Sequence, residues 1–355
     1  MKIAFLNFYS GFIARGGETF VHELANRLAK KNETYVFQAG PASGREKYSV
    51  VRINVSMPKV WPEWSPIRYP RFFVDYYKLK ELRFTIKSLT KIIRLRPDIV
   101  FPLNGGWQAF ICSLYCRFFG AKLVIVGQSG PGWDDRWNLL MKPNLFVALT
   151  SRQLAWAKQA TIWKQDFVLI PNGVDLDRFK AAGKKVKLAL ENPIIMMAAA
   201  STPDKRVEQG IRAVAGLPTG SLLLLGKGPL DERVNKLGYE LLGKKKFHHV
   251  SVSHDQMPAY YRSTDLFTLC SFSSEAFGIV YLEAMASGLP VVATDDESRR
   301  EIIDGAGVFV KNPDNAEEYS TALAQALATS WENLPRKQAE KFSWDDIAAK
   351  YEKVL

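Results

Sequence analysis

The chain has 355 residues, which is long for one domain and comfortable for two of ordinary size. Hydrophobic residues make up 47% and charged residues 24%, an ordinary globular composition, and no apolar run approaches the ~20 residues of a membrane-spanning helix. The net charge of +12 is uneven, because residues 1–180 hold 27 Lys and Arg against 13 Asp and Glu. The first half is therefore expected to face an anionic partner: nucleic acid, an acidic lipid surface or a phosphorylated acceptor.

The start of the chain reads as a first β-strand, and no secretory signal is expected there. The three cysteines, Cys112, Cys116 and Cys270, are too few for a disulfide framework, so we predict a cytoplasmic protein. No set of Cys and His residues has the spacing of a metal site, and packing accounts for the cysteines.

Short runs rich in Val, Ile and Leu recur along the chain, with helical stretches between them. The predicted strands of the first half are 3–7, 34–39, 50–55, 98–103, 122–127, 145–150 and 167–171. Those of the second half are 193–199, 221–226, 248–253, 266–271, 290–295 and 307–310. Apolar runs that do not alternate imply strands covered on both faces, as in a parallel sheet. Two consecutive αβ arrays therefore predict two doubly wound domains.

The boundary between these domains is predicted near 171–179, where Asn-Gly signals a turn and the next strand starts some fifteen residues later. We predict a first domain over 1–175 and a second over 176–340. The last stretch, 341–355, is predicted to form an amphipathic helix with Ser343 as its N-cap.

Residues 57–74 depart from this pattern, because four prolines spaced four apart lie among five aromatic residues and exclude a helix interior. The segment that follows, 75–96, is predicted to be a helix with one apolar face. The basic residues around that face are Lys78, Lys80, Arg83, Lys87, Lys91 and Arg94. That face consists of Leu79, Leu82, Ile86, Leu89 and Ile93. Either the basic, aromatic half contacts a membrane surface, or the apolar face packs on the sheet and the cations are solvated.

Ligands of an open parallel sheet bind beyond the carboxyl ends of its strands, so the loops there hold the candidate residues. After the first strand, Gly16 and Gly17 stand at the start of a helix, where backbone N–H groups favour an anion. A tight turn explains these two glycines equally well. The G-x-G-x-x-G fingerprint is missing, so NAD binding is not predicted.

Two loops of the second half hold further candidates. Lys205 and Arg206 follow a strand at a point where a proline begins a helix, and they would neutralise a diphosphate. An ordinary solvated charge pair is the alternative. After the next strand, Gly226 and Gly228 would permit close approach of a flat or charged ligand.

The most specific stretch is 270–296, in which Glu275 precedes a helix and Glu283 lies eight residues later. Mostly apolar residues separate the two carboxylates, so the helix is predicted to be buried. A buried carboxylate such as Glu283 needs a hydroxyl or cationic partner. Gly278 in the first turn leaves amide groups open to a phosphate or a sugar. A capping Glu followed by a surface Glu is the alternative.

This stretch resembles the hallmark of glycosyltransferase family 4, in which a Glu, seven residues and a second Glu lie in the pattern E-G-F-G-(apolar)-x-x-x-E-A-x-A-x-G-x-P-V-V. The matching residues are Glu275, Phe277, Gly278, Glu283, Ala284, Ala286, Gly288, Pro290, Val291 and Val292. Further matches follow in the right order over nearly the whole chain. They are Gly16–Gly17, 171–175, 203–205, 226–229, Tyr260–Tyr261, Glu301 and 342–344.

The resemblance implies a retaining hexosyltransferase of the α/β GT-B fold, with two doubly wound, Rossmann-like domains facing a cleft. The first domain would bind the acceptor, the second the nucleotide-sugar donor, and the last helix would cross back to the first. Glu275 would bind donor-sugar hydroxyls, and Glu283 the ribose. Lys205 would contact the diphosphate. The backbone amides that would assist it belong to Phe277, Gly278 and Ile279. Gly226 and Gly228 would lie near the nucleoside.

The resemblance also implies that the Gly16–Gly17 loop closes over the phosphates or the acceptor. Family members usually carry an Arg five or six residues before the phosphate Lys; here two alanines stand there, and Arg206 would substitute. Asn104, Gln128 and Ser129 stand where members often carry His, so a histidine base is not expected. The leaving diphosphate would instead accept the acceptor's proton, with no metal ion and no cofactor required.

The predicted partners are a nucleotide-sugar donor, a glycan or lipid-linked acceptor, and an anionic membrane surface beside the basic half; nucleic acid is not expected. The carboxylate pairs at 134–135 and 295–296 are not expected to bind metal. The alternatives are a GT-B nucleotide-sugar epimerase, a sugar-phosphate synthase, or a non-catalytic nucleotide-sugar or RNA-binding scaffold. The intact Glu pair and the lack of an RNA-binding motif disfavour the scaffold.

Overall fold

A computed structural model describes residues 1–13, 15–57, 75–272 and 275–355. They form two compact units, Met1–Asn172 together with Trp344–Leu355, and Gly173–Ser343. The chain therefore changes unit after Asn172 and again after Ser343, a few residues from the divisions expected after 175 and 340. Apart from its first residue, the proline-rich stretch predicted at 57–74 lies outside the described residues.

The first unit is a parallel sheet of seven strands in the order β3-β2-β1-β4-β5-β6-β7. The strands are β1 (Lys2–Leu6), β2 (Glu33–Gln38), β3 (Ser49–Arg52), β4 (Ile99–Pro102), β5 (Lys122–Val126), β6 (Leu145–Ala148) and β7 (Asp166–Leu169). Its helices begin with α1 (Gly16–Leu28), α2 (Tyr76–Leu95), α3 (Trp107–Phe119), α4 (Trp133–Leu140) and α5 (Ser151–Ala160). Each predicted strand of this half overlaps an observed one.

The second unit is a parallel sheet of six strands in the order β10-β9-β8-β11-β12-β13. The strands are β8 (Ile194–Ala198), β9 (Ser221–Leu225), β10 (Phe247–Val250), β11 (Leu266–Leu269), β12 (Val291–Thr294) and β13 (Gly307–Val310). The helices are α6 (Val207–Ala215), α7 (Asp231–Leu241), α8 (Met257–Tyr261), α9 (Ile279–Ala286), α10 (Glu297–Ile303), α11 (Ala316–Ala328) and α12 (Leu334–Glu340).

Both sheets have the strand order of a doubly wound, Rossmann-like domain, so the predicted α/β fold class is confirmed. The order reverses between β1 and β4 in the first sheet, and between β8 and β11 in the second. At such a switch point the two flanking loops diverge and leave a crevice beyond the strand ends. The loops after β8 and β11 carry Lys205, Arg206 and Glu275 among the candidate residues of the second unit.

The last helix, α13 (Trp344–Val354), belongs to the first unit, although the segment before it belongs to the second. Trp344 and Tyr351 are fully buried, and each ring lies 6.0 Å from the ring of Phe20 on α1. The Lys122 ammonium also donates to the Val354 carbonyl at 2.7 Å. These contacts complete the core of the first unit.

The helix predicted at 75–96 forms, and three of the five residues of its predicted apolar face do not take the alternative of packing on the sheet. Leu79, Ile86 and Ile93 are exposed. The helix instead buries Glu81, Phe84, Thr85, Ser88 and Ile92. This polar face tolerates burial because the Thr85 and Ser88 hydroxyls donate to carbonyls of the preceding turn, and Glu81 accepts from Tyr9 at 2.7 Å.

Asp135 on α4 is a fully buried carboxyl. Burial raises its pKa to about 7, against the lowering effect of hydrogen bonds from the Asn138 and Gln153 amides at 3.2 and 2.8 Å. Asn138 Oδ1 is buried and has no hydrogen-bond partner in the described part of the chain. A proton on Asp135 would supply a donor to this neighbourhood.

Asp135→Asn is expected to raise the free energy of unfolding by about 1–3 kcal/mol at pH 8 and by less at pH 5, where the folded carboxyl is still protonated. The folded carboxyl holds its proton up to about pH 7, whereas its ordinary pKa is 3.8. The contribution of Asp135 to the free energy of unfolding therefore falls as pH rises from 3.8 to about 7, and it stays low above that range. Urea titrations at both pH values would measure the gain. The exposed neighbour Asp134→Asn is the control, and an equal gain at both pH values would contradict the prediction.

Candidate functional site

The switch point of the second sheet brings Lys205 and Glu275 together. Lys205 ends a 3₁₀ turn that follows β8, and Glu275 follows β11. The Phe272 amide donates to the Asp204 carbonyl at 2.9 Å and ties the two loops to each other. The Lys205 ammonium donates to Glu275 Oε2 and lies 3.5 Å from the Asp204 carboxylate. Residues seventy positions apart thus form one ion pair.

Both members of this pair remain partly accessible, with 23% of the Lys205 side chain and 18% of the Glu275 side chain exposed. Burial lowers the pKa of the Lys205 ammonium, but the charges of Glu275 and Asp204 raise it more, so the net pKa is raised. Lys205 therefore stays positively charged throughout the neutral range. An accessible cation beside a carboxylate can bind a phosphate and a sugar hydroxyl side by side.

Gly278 precedes the first residue of α9 and lies three residues after Glu275. Its φ of +82° belongs to the left-handed region, and a Cβ there would lie 2.5 Å from the Tyr281 ring. The first amides of α9 have no partners within the helix, so they form a positive terminus. Phe277 and Ile279 are buried, and the Phe277 ring packs edge-on against Phe342. Only the backbone of these two residues is therefore suited to meet a ligand.

Glu283 has the partners that its burial requires. It is 3% exposed, its Oε2 accepts from the Tyr261 hydroxyl at 3.0 Å, and its Oε1 lies 2.7 Å from His254 Nε2. Arg178, which can only donate, lies 2.8 Å from His254 Nδ1, so the imidazole proton lies on Nε2 and points at Glu283. Burial, and then the nearby Glu283 charge, keep the pKa of Tyr261 well above its usual value, so the hydroxyl remains a donor.

Sequence reasoning assigned no role to His254 or Arg178. The match of Tyr260–Tyr261 to the family pattern does not indicate the hydrogen bond from Tyr261 to Glu283. Because a buried carboxylate needs a hydrogen-bond or cationic partner, the sequence does predict that Glu283 has one. It did not identify that partner, because these residues come from separate segments of the chain.

The two candidate glycines after β9 approach the neighbouring loop of the protein itself. A Cβ on Gly226 would lie 1.9 Å from the Ala199 carbonyl oxygen, and one on Gly228 would lie 2.6 Å from that of Ser201. The close approach that these residues permit is thus between two backbones at the strand ends. Their predicted proximity to a nucleoside stays a prediction.

Arg206 follows Lys205 directly, but its side chain points elsewhere. Its guanidinium donates to Asp314 at 3.1 Å and lies 3.9 Å from the centre of the Phe272 ring. Its Nε is buried and has no hydrogen-bond partner in the described residues. Arg206 thus pairs with Asp314, and its substitution for the usual upstream Arg stays a prediction.

A second arginine, Arg299 on α10, lies directly under the loop after β11, and sequence reasoning missed it. It is 2% exposed. Its Nη2 donates to Ser271 Oγ at 2.6 Å and to the Phe272 carbonyl at 3.0 Å. Its Nε donates to the Tyr281 hydroxyl at 3.1 Å, and its Nη1 to Asp296. No motif marks this residue, because its role depends on the fold of three segments.

The candidate residues of the first unit differ in burial, in hydrogen-bond partners and in the space around them. Asn104 is buried and braces the loops after β1 and β4, since its Oδ1 accepts from the Phe8 amide at 2.8 Å. Gln128 donates to the Asn172 side chain at 3.2 Å, and Ser129 is exposed. Gly16 begins α1, and a Cβ on Gly17 would meet open space. Gly17 is therefore sterically replaceable, in contrast to Gly226.

Across the described ranges, no cluster of three or more His, Cys, Asp or Glu residues is arranged to hold a metal ion. Asp295 pairs with Arg300 and Asp296 with Arg299, so these carboxylates already have cationic partners. The same ranges contain no helix with the length and apolar character needed to cross a bilayer. The three cysteines are free and buried.

Family models match two adjacent parts of the chain. The model described as "Glycosyltransferase Family 4" matches residues 14–178, and that described as "Glycosyl transferases group 1" matches residues 179–343. The chain belongs to glycosyltransferase family 4. The resemblance inferred from the paired glutamates is thereby confirmed, and it extends over both units.

Curated relatives of this family 4 glycosyltransferase include two with long alignments. A sulfoquinovosyl transferase of Arabidopsis thaliana is 28% identical over 83% of this chain and 64% of its own length. A lipopolysaccharide core biosynthesis glycosyltransferase of Rhizobium meliloti is 29% identical over 86% of this chain and 91% of its own. The chain thus spans slightly less than two thirds of the first relative and nearly all of the second.

Solved structures show the same GT-B fold. Sucrose-phosphate synthase of Thermosynechococcus elongatus superimposes with a TM-score of 0.79 at 18% identity, over 99% of this chain and 98% of that one. HepE of Anabaena, solved in complex with UDP-glucose, has a TM-score of 0.76 at 18% identity, with full coverage of both chains. The likeness covers both Rossmann-like units of this glycosyltransferase.

Proposed function

We propose that this glycosyltransferase is a retaining enzyme that moves a hexose from a UDP- or GDP-sugar to a glycan or lipid-linked acceptor in cell-surface polysaccharide or glycolipid synthesis. The observation that carries the proposal is the pairing of Lys205 with Glu275 beside the first amides of α9. A cation and a helix N-terminus suit a diphosphate, and a carboxylate suits sugar hydroxyls. The UDP-glucose complex of HepE supports a nucleotide-sugar donor.

In the proposed reaction the acceptor hydroxyl oxygen bonds to the anomeric carbon on the face from which the bond to the diphosphate oxygen breaks. The configuration of the sugar is therefore retained. The diphosphate departs with the bonding electron pair, and one of its oxygens accepts the acceptor's proton. Lys205 and the amides at the start of α9 stabilise the charge that grows on the leaving group. This scheme requires neither a protein base nor a metal ion.

The paired glutamates hold the two ends of the donor. Glu275 exchanges part of its bond with Lys205 for donor-sugar hydroxyls when the diphosphate engages the ammonium. Glu283 binds the ribose hydroxyls. Oε1 accepts a bond from His254 and Oε2 one from Tyr261, and each oxygen has a second lone pair. The buried network thus orients Glu283 without saturating it.

A thermal-shift screen of UDP- and GDP-sugars is expected to identify one donor that raises the unfolding temperature by about 5–10 °C at a hundredfold excess over Kd. Acceptor trials with that donor would follow, with proton NMR of the new linkage. Retained anomeric configuration and an equal rate in EDTA are the expected results. An inverted product, or a rate that metal removal abolishes, would contradict the proposed mechanism.

The same assay separates the alternatives. A synthase would transfer the sugar only to a sugar phosphate, and an epimerase would convert the donor without any acceptor. A non-catalytic scaffold would bind the donor and release no nucleoside diphosphate with any acceptor. Each outcome replaces the proposed activity with a specific other one.

A further inference from the structure

The outward face of α2 combines apolar and basic side chains. Leu79, Ile86 and Ile93 recur every seven residues and are 48%, 53% and 39% exposed. They lie opposite the buried face of the helix. Arg83 and Arg94 share the outward face and are also exposed. The only acidic residue of the helix, Glu81, is buried and bonded to Lys78.

The outward face of α3 is apolar along its whole length. Phe110, Leu114 and Phe118 recur every four residues and are 36%, 37% and 83% exposed. The helix contains no acidic residue and one basic residue, Arg117. A surface helix normally turns polar residues outward, so this face is unusual for a helix that has only water as a neighbour.

The two faces adjoin one another and a basic cavity. The Tyr115 hydroxyl on α3 donates to the Ile92 carbonyl on α2 at 3.4 Å, so the helices are neighbours. On the other flank of α3, a cavity of about 600 Å³ is lined in part by Arg117, Lys142 and Trp163. The Lys142 ammonium lies 5.7 Å from the centre of the Trp163 ring. This cavity offers cations and room for an anionic headgroup.

We propose that the outward faces of α2 and α3, with this cavity at their edge, dock on an anionic lipid surface. Exposed Phe118 and Ile86 enter the boundary between headgroups and acyl chains, and Arg83, Arg94 and Lys142 meet acidic headgroups. The absence of exposed carboxylates on the two helices matches the negative charge of such a surface. The proposal goes beyond the proposed transfer reaction and does not depend on the identity of the sugar.

A second copy of the chain fits this surface less well. A two-fold interface brings the same patch of both copies together, so the cations of α2 would lie against each other. A nucleic acid would pair with the cations and leave the apolar side chains in water. An anionic lipid surface satisfies both the charge and the apolar area.

Flotation with vesicles tests the proposal. The wild-type protein is expected to float with phosphatidylcholine vesicles that contain about a quarter phosphatidylglycerol in about 50 mM salt, and to be released in about 500 mM salt. Arg83→Glu/Arg94→Glu is expected to weaken binding at least about 25-fold, since each basic residue contributes about fivefold. Ile86→Asp/Phe118→Asp is expected to weaken it more than about tenfold.

Two controls in the second unit match these changes. Lys236→Glu/Lys244→Glu alters the net charge equally, and Leu334→Asp places an acid at another exposed apolar position. Both should float like the wild type, and a donor-induced thermal shift equal to wild type would show that every variant is folded. Wild-type protein that stays unbound, or surface variants that float normally, would overturn the proposal. A dimer that Ile86→Asp/Phe118→Asp converts to monomer, without flotation, would identify a second copy as the occupant.

Discussion

Lys205→Ala and Glu275→Ala are each expected to abolish measurable sugar transfer, a loss of at least about 100- to 1,000-fold, while the protein stays folded. In the proposed mechanism, the Lys205 ammonium would stabilise the negative charge that grows on the leaving diphosphate. Glu275 would bind hydroxyls of the donor sugar and hold it in place for the transfer. Both side chains are partly exposed, so removal of either leaves no fully buried, unpaired charge.

The two variants should fail in different ways. Lys205→Ala is expected to weaken binding of the free nucleoside diphosphate, because the lost cation contacts the phosphates. Glu275→Ala is expected to bind the nucleoside diphosphate normally and to lose the additional affinity for the complete nucleotide-sugar. Calorimetric titration with both ligands would separate these effects.

Lys236→Ala and Glu232→Ala are matched controls, because both residues are exposed on α7 of the same unit. Neither should change transfer or ligand binding. Normal activity of both Lys205→Ala and Glu275→Ala would refute the proposed donor site. Loss of activity together with loss of folding would show that the pair is structural.

Arg299→Met is expected to lower the free energy of unfolding by about 3–5 kcal/mol, the usual cost of breaking a buried charge network by removing one partner. Four of the five guanidinium N–H groups donate to partners in three segments. Their loss would leave Asp296 without its cation and Ser271 without a partner for its hydroxyl. Denaturant titration of the variant against the wild type would measure this effect.

Arg299→Lys keeps the charge and loses the forked geometry, so it should fold with a smaller loss of stability. Because Arg299 holds the loop that leads to Glu275, this variant is also expected to raise the KM for the donor with little change in kcat. Arg300→Met is the matched control, because the neighbouring Arg300 is exposed and its ion pair with Asp295 lies at the surface, where such pairs add little to stability. Equal stability of Arg299→Met and Arg300→Met would contradict a structural role for the buried network.

Sequence patterns sufficed for the strands and for the two doubly wound arrays. Runs such as the one at β9 are continuous and apolar because helices cover a parallel sheet on both faces, and this requirement is local. Glu275, Gly278 and Glu283 could also be predicted from the sequence, since one short segment contains them all. The family relationship rests on this segment and on the ordered matches around it.

Which face of α2 is buried could not be predicted from the sequence in the same way. Its apolar periodicity predicts a helix with two different faces, but it does not determine which face turns inward. Thr85 and Ser88 can be buried because their hydroxyls bond to the helix itself, and Glu81 because Tyr9 and Lys78 reach it. Lys78 lies on the same helix, but Tyr9 comes from a distant segment and is brought to Glu81 only by the tertiary structure.

By itself, the sequence determined the fold class, the family and the segment that holds the two glutamates, because each depends on residues close together in the chain. Only the tertiary structure decided what these residues touch. The reversal of strand order places Lys205 beside Glu275. The packing of the helices and loops on the sheet places Tyr261 and His254 beside Glu283, and Arg299 against Ser271 and Phe272. Such contacts join distant segments through the sheet topology, and no local pattern of residues encodes them.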